Sequence, residues 1–273
     1  MSDIVLTAGV RANLLQLQST AATITNTQSK LATGKRVNTA LDNPINFFTA
    51  QGLSNRASDL SNLLDSMSTA ISTIQAANNG LTSITKLVQS AQALASQAQQ
   101  TSDTTVRSGL AAQFDAIKTQ ITQLAGDSRF NGINLLDSTN STNLTVQLNE
   151  RNTSSVTVNA VDSTSIGLSI NNSTNNWASA ADITAASSEL TAALTTLRSQ
   201  AQAFGSQLST VQIRQDFTKA MVNTLQSGSD ALTLADSNEE GANLLALQTR
   251  QQLSTTALSL ASQASQAVLR LFQ

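Results

Sequence analysis

No cysteine and no histidine occur among the 273 residues. Their absence excludes disulfides, thiolate metal sites, imidazole bases and histidine-dependent triads. Tyrosine is missing too, tryptophan occurs once as Trp177, and aromatics make up 3% of the chain. A thick core filled by large rings is therefore not available. Charged residues amount to 12% with a net charge of -2, about half the usual share. That balance leaves no electrostatic footprint for nucleic acid or for an anionic membrane. No run of about 18 apolar residues exists, so no membrane insertion is expected. The start, Met1-Ser2-Asp3-Ile4, lacks a basic stretch followed by an apolar run, so a cleaved secretory signal is not expected. Carboxylate pairs such as Glu239 and Glu240 sit where helix-start charges belong. Without histidine or a plausible pocket, no catalytic, cofactor-binding or metal-binding residue is assigned, and the chain is not expected to be an enzyme.

What is abundant is Ala, Leu, Ser, Thr, Gln and Asn at helical spacing. Val10, Leu14, Leu17, Ala21, Ile24, Gln28 and Leu31 step alternately by four and three, the spacing of one stripe facing a partner helix. A second run covers Ala57, Leu60, Leu64, Met67, Ile71, Ile74, Ala77, Leu81, Ile84, Val88, Ala91, Ala95 and Ala98. Val106 to Leu124 marks a third helix. Helical spacing returns from Ile183 through Val211, continuing less cleanly to Leu232. Ser237 and Glu240 have capping-box spacing for a last helix with the stripe Leu253, Ala257, Leu260, Ala264, Ala267 and Leu271.

Between these helices the pattern changes. Asn131-Gly132 signals a tight turn, and apolar residues then alternate with polar ones at Leu144, Val146, Leu148, at Val156, Val158, and at Ile166, Leu168, Ile170. Short strands are expected within about 135–176. The fold class that follows is mainly α: a long antiparallel coiled-coil helical bundle with a small central β-hairpin region.

The terminal segments are almost uncharged. Arg11 is the only charge between Asp3 and Lys30, and Arg250 the only one between Glu240 and Arg270. A lone two-helix coil in water carries charges at its flanking positions and on its outer face; here the outer faces are expected to hold Leu6, Leu15, Leu247, Leu258, Val268 and Phe272, more apolar surface than one partner helix covers. Both ends are therefore expected to be buried by further copies of the chain. The assembly interface is expected at Val10, Leu14, Leu17, Ile24, Leu31, Leu253, Leu260, Val268, Leu271 and Phe272.

The stretch "LATGKRVNTALDNPINFFTAQGLSNR" (31–56) resembles the N-terminal signature of the bacterial flagellins, "RFNGINLLD" (129–137) is similar to their Phe-Asn-Gly turn, and "NLLALQTRQQLSTTALSLASQASQAVLRLF" (243–272) resembles their C-terminal pattern. The resemblance covers essentially the whole chain and implies a short flagellin lacking large outer domains. A D0-like terminal coiled coil would combine residues 1–42 and 234–273. A D1-like helical bundle would span 43–233 with its β region at about 135–176. The implied function is a structural, self-assembling subunit of the filament used for swimming motility, secreted by type III export and placed outside the cell. Implied partners are the chain itself as a helical homopolymer, the flagellar cap protein, hook-filament junction proteins, the export apparatus and a flagellin chaperone. Two alternatives stand beside it: a hook-filament junction protein, and a secreted coiled-coil effector. The resemblance also implies that exposed Ser/Thr can carry O-linked sugars, as in some flagellins, for which 138–176 is the candidate surface. "KLVQSAQALASQAQ" (86–99) lacks the arginines through which a host receptor detects many flagellins, so weak activation is expected.

Within the signature, Lys35, Arg36, Pro44, Phe47 and Phe48 are read as a joint between domains. The two cations suit either an ion pair to a neighbouring domain or subunit, or a solvated loop. Pro44 suits the first turn of a helix, capped by Asp42 or Asn43.

Overall fold

The computed structural model describes the backbone of residues 8–140 and 142–271. Five helices dominate it: α1 (Ala8–Thr33), α2 (Pro44–Gln99), α3 (Thr104–Asp127), α4 (Ala180–Thr233) and α5 (Ser237–Leu271). Between α3 and α4 lie two antiparallel hairpins. One joins β1 (Arg129–Phe130) to β2 (Ile133–Asn134), the other β3 (Leu144–Gln147) to β4 (Ser155–Val158). The chain divides into two units. One comprises the residues up to 55 with those from 224 onward, the other residues 56–223.

The core of the second unit is the α2 stripe read from the sequence. From Ala57 to Ala98 its members are buried except Leu64 and Ile71, which are half-buried. The α4 stripe meets it with Ile183, Leu190, Ala193, Leu197, Phe204 and Val211, and α3 adds Leu110, Phe114 and Ile121. Alanine recurs in the α2 stripe, so backbones can approach closely, and few rings are needed. Hydroxyls on these helices are satisfied by the carbonyl four residues earlier, as Thr73 Oγ1 does to Thr69 O at 2.9 Å. Thr73 is thereby buried without an outside partner.

Local chemistry sets the ends of these elements. Asp103 caps α3 by accepting from Thr105 N (2.8 Å) and Val106 N (3.3 Å). Asn131 and Gly132, with φ of 49° and 81°, make the two-residue turn that pairs Phe130 with Ile133. Just after it, Asn134 is buried, donating to Ala125 O (2.7 Å) and Gly126 O (3.0 Å) and accepting from Leu136 N (2.8 Å). It thus serves the orphan carbonyls at the end of α3. The second hairpin sets Leu144 opposite Val158 and Val146 opposite Val156, and Arg56 holds the following loop through Glu150 at 2.7 Å.

Ile166, Leu168 and Ile170 do not form the expected strand. Asp162 accepts from Thr164 N, and Leu168 N and Ile170 N turn back to Thr164 O and Ser165 O. With Ser169 at φ 56°, the segment is a compact turn that buries Leu168 and Ile170 but leaves Ile166 81% exposed. Side-chain capping at Asp162 competes with strand pairing and wins.

Helices α3 and α4 pin the next stretch with carboxylates: Glu189 accepts from Asn171 N and Nδ2, and Asp115 from Ser173 N and Oγ. Three successive left-handed residues, Asn175, Asn176 and Trp177, then turn the chain. They drive the Trp177 ring into the core against Phe114, with centroids 5.0 Å apart. Ser179 and Asp182 close the reciprocal cap of α4.

Candidate assembly interface

The terminal unit is built on an antiparallel pair. The end of α1 meets the start of α5, where Lys30 Nζ lies 3.1 Å from Glu240 Oε1. Backbone bonds tie the same place: Ala235 N donates to Gly34 O (3.0 Å), while Arg36 N (2.7 Å) and Val37 N (3.2 Å) donate to Thr233 O. Gly34, at φ 67°, supplies the left-handed residue that ends α1. Lys35 and Leu234 form an isolated antiparallel bridge.

These ties fix the rotation of α5. Stepping from Glu240 by four and three reaches Leu244, Leu247, Gln251, Ser254, Leu258 and Ala261, and these, with Glu240 and Gly241, are the half-buried residues among those of α5 whose side chains are described. The stripe expected for this helix is turned away. Leu253 is 66% and Leu260 61% exposed, and Ala257, Ala264 and Ala267 are exposed with them. Leu247 and Leu258, expected on the outer face, belong to the seam. Two heptad stripes share one helix, and the one containing Glu240 faces α1 because its charge meets Lys30 there.

On α1, Ile24 is buried, Val10, Leu17 and Leu31 are half-buried, and Leu14 is 39% exposed. The deepest positions include Thr20 and Thr27 rather than Ala21 and Gln28. Thr20 conceals its hydroxyl on Gln16 O at 2.9 Å, which is why a hydrophobic pattern passes over it. Val268 and Leu271 lie on α5 where side chains are not described, and Leu6 and Phe272 lie outside the described residues.

The residues read as a joint all fall within the terminal unit. Asn43 caps α2 by accepting from Asn46 N at 3.0 Å, with Pro44 as its first residue. Asp42 instead organises the loop before it, accepting from Asn38 N, Thr39 N and Thr39 Oγ1. The main-chain N–H groups of Thr39 and then Asn38 hold its carboxyl below the ordinary aspartate value. Phe47 is half-buried and meets Phe48 edge-on at 5.4 Å, and Phe48 is exposed. Lys35 and Arg36 are exposed, and neither has a carboxylate within ion-pair distance among the described residues. Arg36 Nη2 approaches Leu232 O at 3.5 Å.

A cleft of about 500 Å³ beside this loop is lined by Asn26, Lys30, Arg36, Asn38, Asp42 and Asn46 among others. Its lysine is spent on Glu240 and its carboxylate on the loop's own amides, so it presents no reactive constellation. Among the described residues no group of three or more acidic side chains could hold a metal ion, and no helix is long and apolar enough to cross a membrane.

Comparison with known proteins fits this geometry. Residues 7–141 match the family model of the bacterial flagellin N-terminal helical region, and residues 188–272 that of the C-terminal helical region. Flagellin FljM of Caulobacter vibrioides is 31% identical over 274 residues, covering 100% of this chain and 99% of its own. A flagellin of Brucella melitensis is 25% identical over 283 residues and matches from end to end of both chains. The crystal structure of Bacillus cereus flagellin overlays on 55% of this chain and 86% of its own, at 24% identity and a TM-score of 0.49.

Proposed function

Because the chain belongs to the bacterial flagellin family and is a structural subunit of the flagellar filament rather than an enzyme, we propose that it polymerises through the outward stripe of α5 and the exposed flank of α1. The observation that carries this reading is the second heptad stripe, Leu253, Ala257, Leu260, Ala264 and Ala267, exposed on a helix whose other stripe is already filled by α1. A heptad stripe on a nearly uncharged helix is stabilising only when a further helix covers it. In an open helical polymer that helix comes from another copy, through a contact that does not close on itself. Counted by the same steps, Leu271 would extend this interface, whereas Val268 and Phe272 fall in register with the stripe that contains Glu240.

On this reading residues 1–42 and 234–273 form the D0-like coiled coil and 43–233 the D1-like bundle. Lys35 and Arg36, exposed beside the tie between Gly34–Val37 and Thr233–Ala235, are the cations offered to a neighbouring subunit. The subunit would leave the cell by type III export, with a chaperone on its C-terminal helix, and assemble outside it beneath the cap protein onto the junction proteins. Relatives that carry the flagellin name along their full length favour neither the junction protein nor the coiled-coil effector.

Leu260→Asp tests the interface. The substitution is innocuous where Leu260 faces water, but in the polymer it buries an uncompensated carboxylate. The cost of about 3–5 kcal/mol per contact raises the critical concentration for assembly by about a hundredfold or more. Electron microscopy should find no filaments while circular dichroism shows the second unit still folded. Filaments of normal length from Leu260→Asp subunits would refute the proposal.

A further inference from the structure

The chain holds two Asn-Gly pairs, Asn79-Gly80 and Asn131-Gly132, and the fold places them in opposite circumstances. Asn-Gly is a reactive dipeptide because glycine has no Cβ to shield its main-chain nitrogen, and asparagine is a thermolabile residue. We propose that Asn131 is a site of spontaneous deamidation and isoaspartate formation, while Asn79 is held inert by its helix.

In the reaction the Gly132 nitrogen loses its proton to base and attacks Cγ of Asn131. A C–N bond forms, and the side-chain nitrogen leaves as ammonia. Water then opens the resulting succinimide at either carbonyl, giving aspartate or isoaspartate. The balance is one water consumed and one ammonia released, with no redox change.

The turn leaves room for these steps. Asn131 and Gly132 are both exposed, and nothing lies within 4 Å of the position a Cβ would take on Gly132. The Gly132 N–H meets no hydrogen-bond acceptor among the described residues. Asn79 lies deep inside α2, and Gly80 is buried there, with the site of a Cβ only 2.3 Å from Ser128 Oγ. Its N–H belongs to the helical ladder, so ring closure requires α2 to open first.

The two products differ in consequence. Aspartate at 131 keeps the main-chain length and tolerates the left-handed conformation. Isoaspartate routes the main chain through Cγ and adds one methylene to a two-residue turn. That breaks the pairing of Phe130 with Ile133 and pulls on Asn134, which secures the end of α3.

The test incubates the purified full chain at mildly alkaline pH, follows both peptides by mass spectrometry, and labels isoaspartate with an isoaspartyl methyltransferase. In the folded protein the product at Asn131 should form at least about a hundredfold faster than at Asn79, since helix opening precedes reaction at the latter. In denaturant the two rates should converge. Equal rates in the folded chain would overturn the proposal. So would an unreactive Asn131 in the folded chain when the denatured chain reacts.

Discussion

Gly80→Ala sets a favourable local effect against an unfavourable tertiary one, and the structure says which wins. Replacing a mid-helix glycine by alanine stabilises a helix by about 0.5–1 kcal/mol when nothing else changes. At position 80 the new Cβ would lie 2.3 Å from Ser128 Oγ, 2.6 Å from Leu136 Cδ1 and 2.9 Å from Ser128 Cβ. Leu136 is fully buried, so its methyl has no solvent to move into. Ser128 is the C-cap of α3, and its hydroxyl donates to Leu124 O at 2.7 Å; turning it away forfeits that bond, worth about 1 kcal/mol. Overpacking of this kind costs about 1–3 kcal/mol. The net effect is a loss of about 1–3 kcal/mol, or a fall in melting temperature of roughly 2–10 °C for a unit of this size. Gly205→Ala is the control, because Gly205 is exposed on α4 with nothing within 4 Å of its Cβ position; it should gain stability by the helix term alone. Calorimetry of both variants decides the matter. If Gly80→Ala melts as high as Gly205→Ala, the close packing of α2 on the end of α3 is not as described.

Two further expectations concern the second unit. Asn134→Ala strands the carbonyl of Ala125 and the N–H of Leu136 in a buried place, while Gly126 O keeps its bond from Arg129 Nε, and should cost about 2–4 kcal/mol by chemical denaturation; a loss within experimental error would show that water replaces the amide. For pH, the side chains of Thr139 and then Asn140 hold the Asp137 carboxyl below its ordinary value, and Glu150 is lowered by its own main-chain N–H and then by Arg56. Both groups bind protons less readily when folded. Their contribution is therefore complete above the ordinary carboxylate range near pH 4 and is lost as pH falls through the lowered values. Melting temperature should stay flat from neutral pH to about 5 and decline below about 4, and Asp137→Asn should flatten that decline.

The long core helices were legible because their stripe is made of Leu, Ile, Val and Ala at coiled-coil spacing, and α2 buries it nearly member for member. The rotation of α5 was not legible. It carries two stripes of equal spacing, and the choice between them rests on Lys30 meeting Glu240 across 210 positions of sequence. Thr20 hid within α1 because a threonine that bonds its own helix behaves as an apolar residue, and Thr27 is a second buried threonine that an apolar pattern passes over. The alternation at Ile166, Leu168 and Ile170 matched a strand, but Asp162 and the left-handed Ser169 turn that segment over. The cap of α5 shifted by one position for a similar reason. Asp236, not Ser237, accepts from Asn238 N and Glu239 N, which frees Glu240 for Lys30.

The central claim is that the outward stripe of α5 is covered by other copies on assembly. The absence of native cysteine makes it directly measurable, since Leu260→Cys introduces the chain's only thiol. With a water-soluble maleimide, the account predicts rapid labelling of this thiol in free subunits and strong protection once they have formed filaments. Labelling in intact filaments as fast as in free subunits would contradict it.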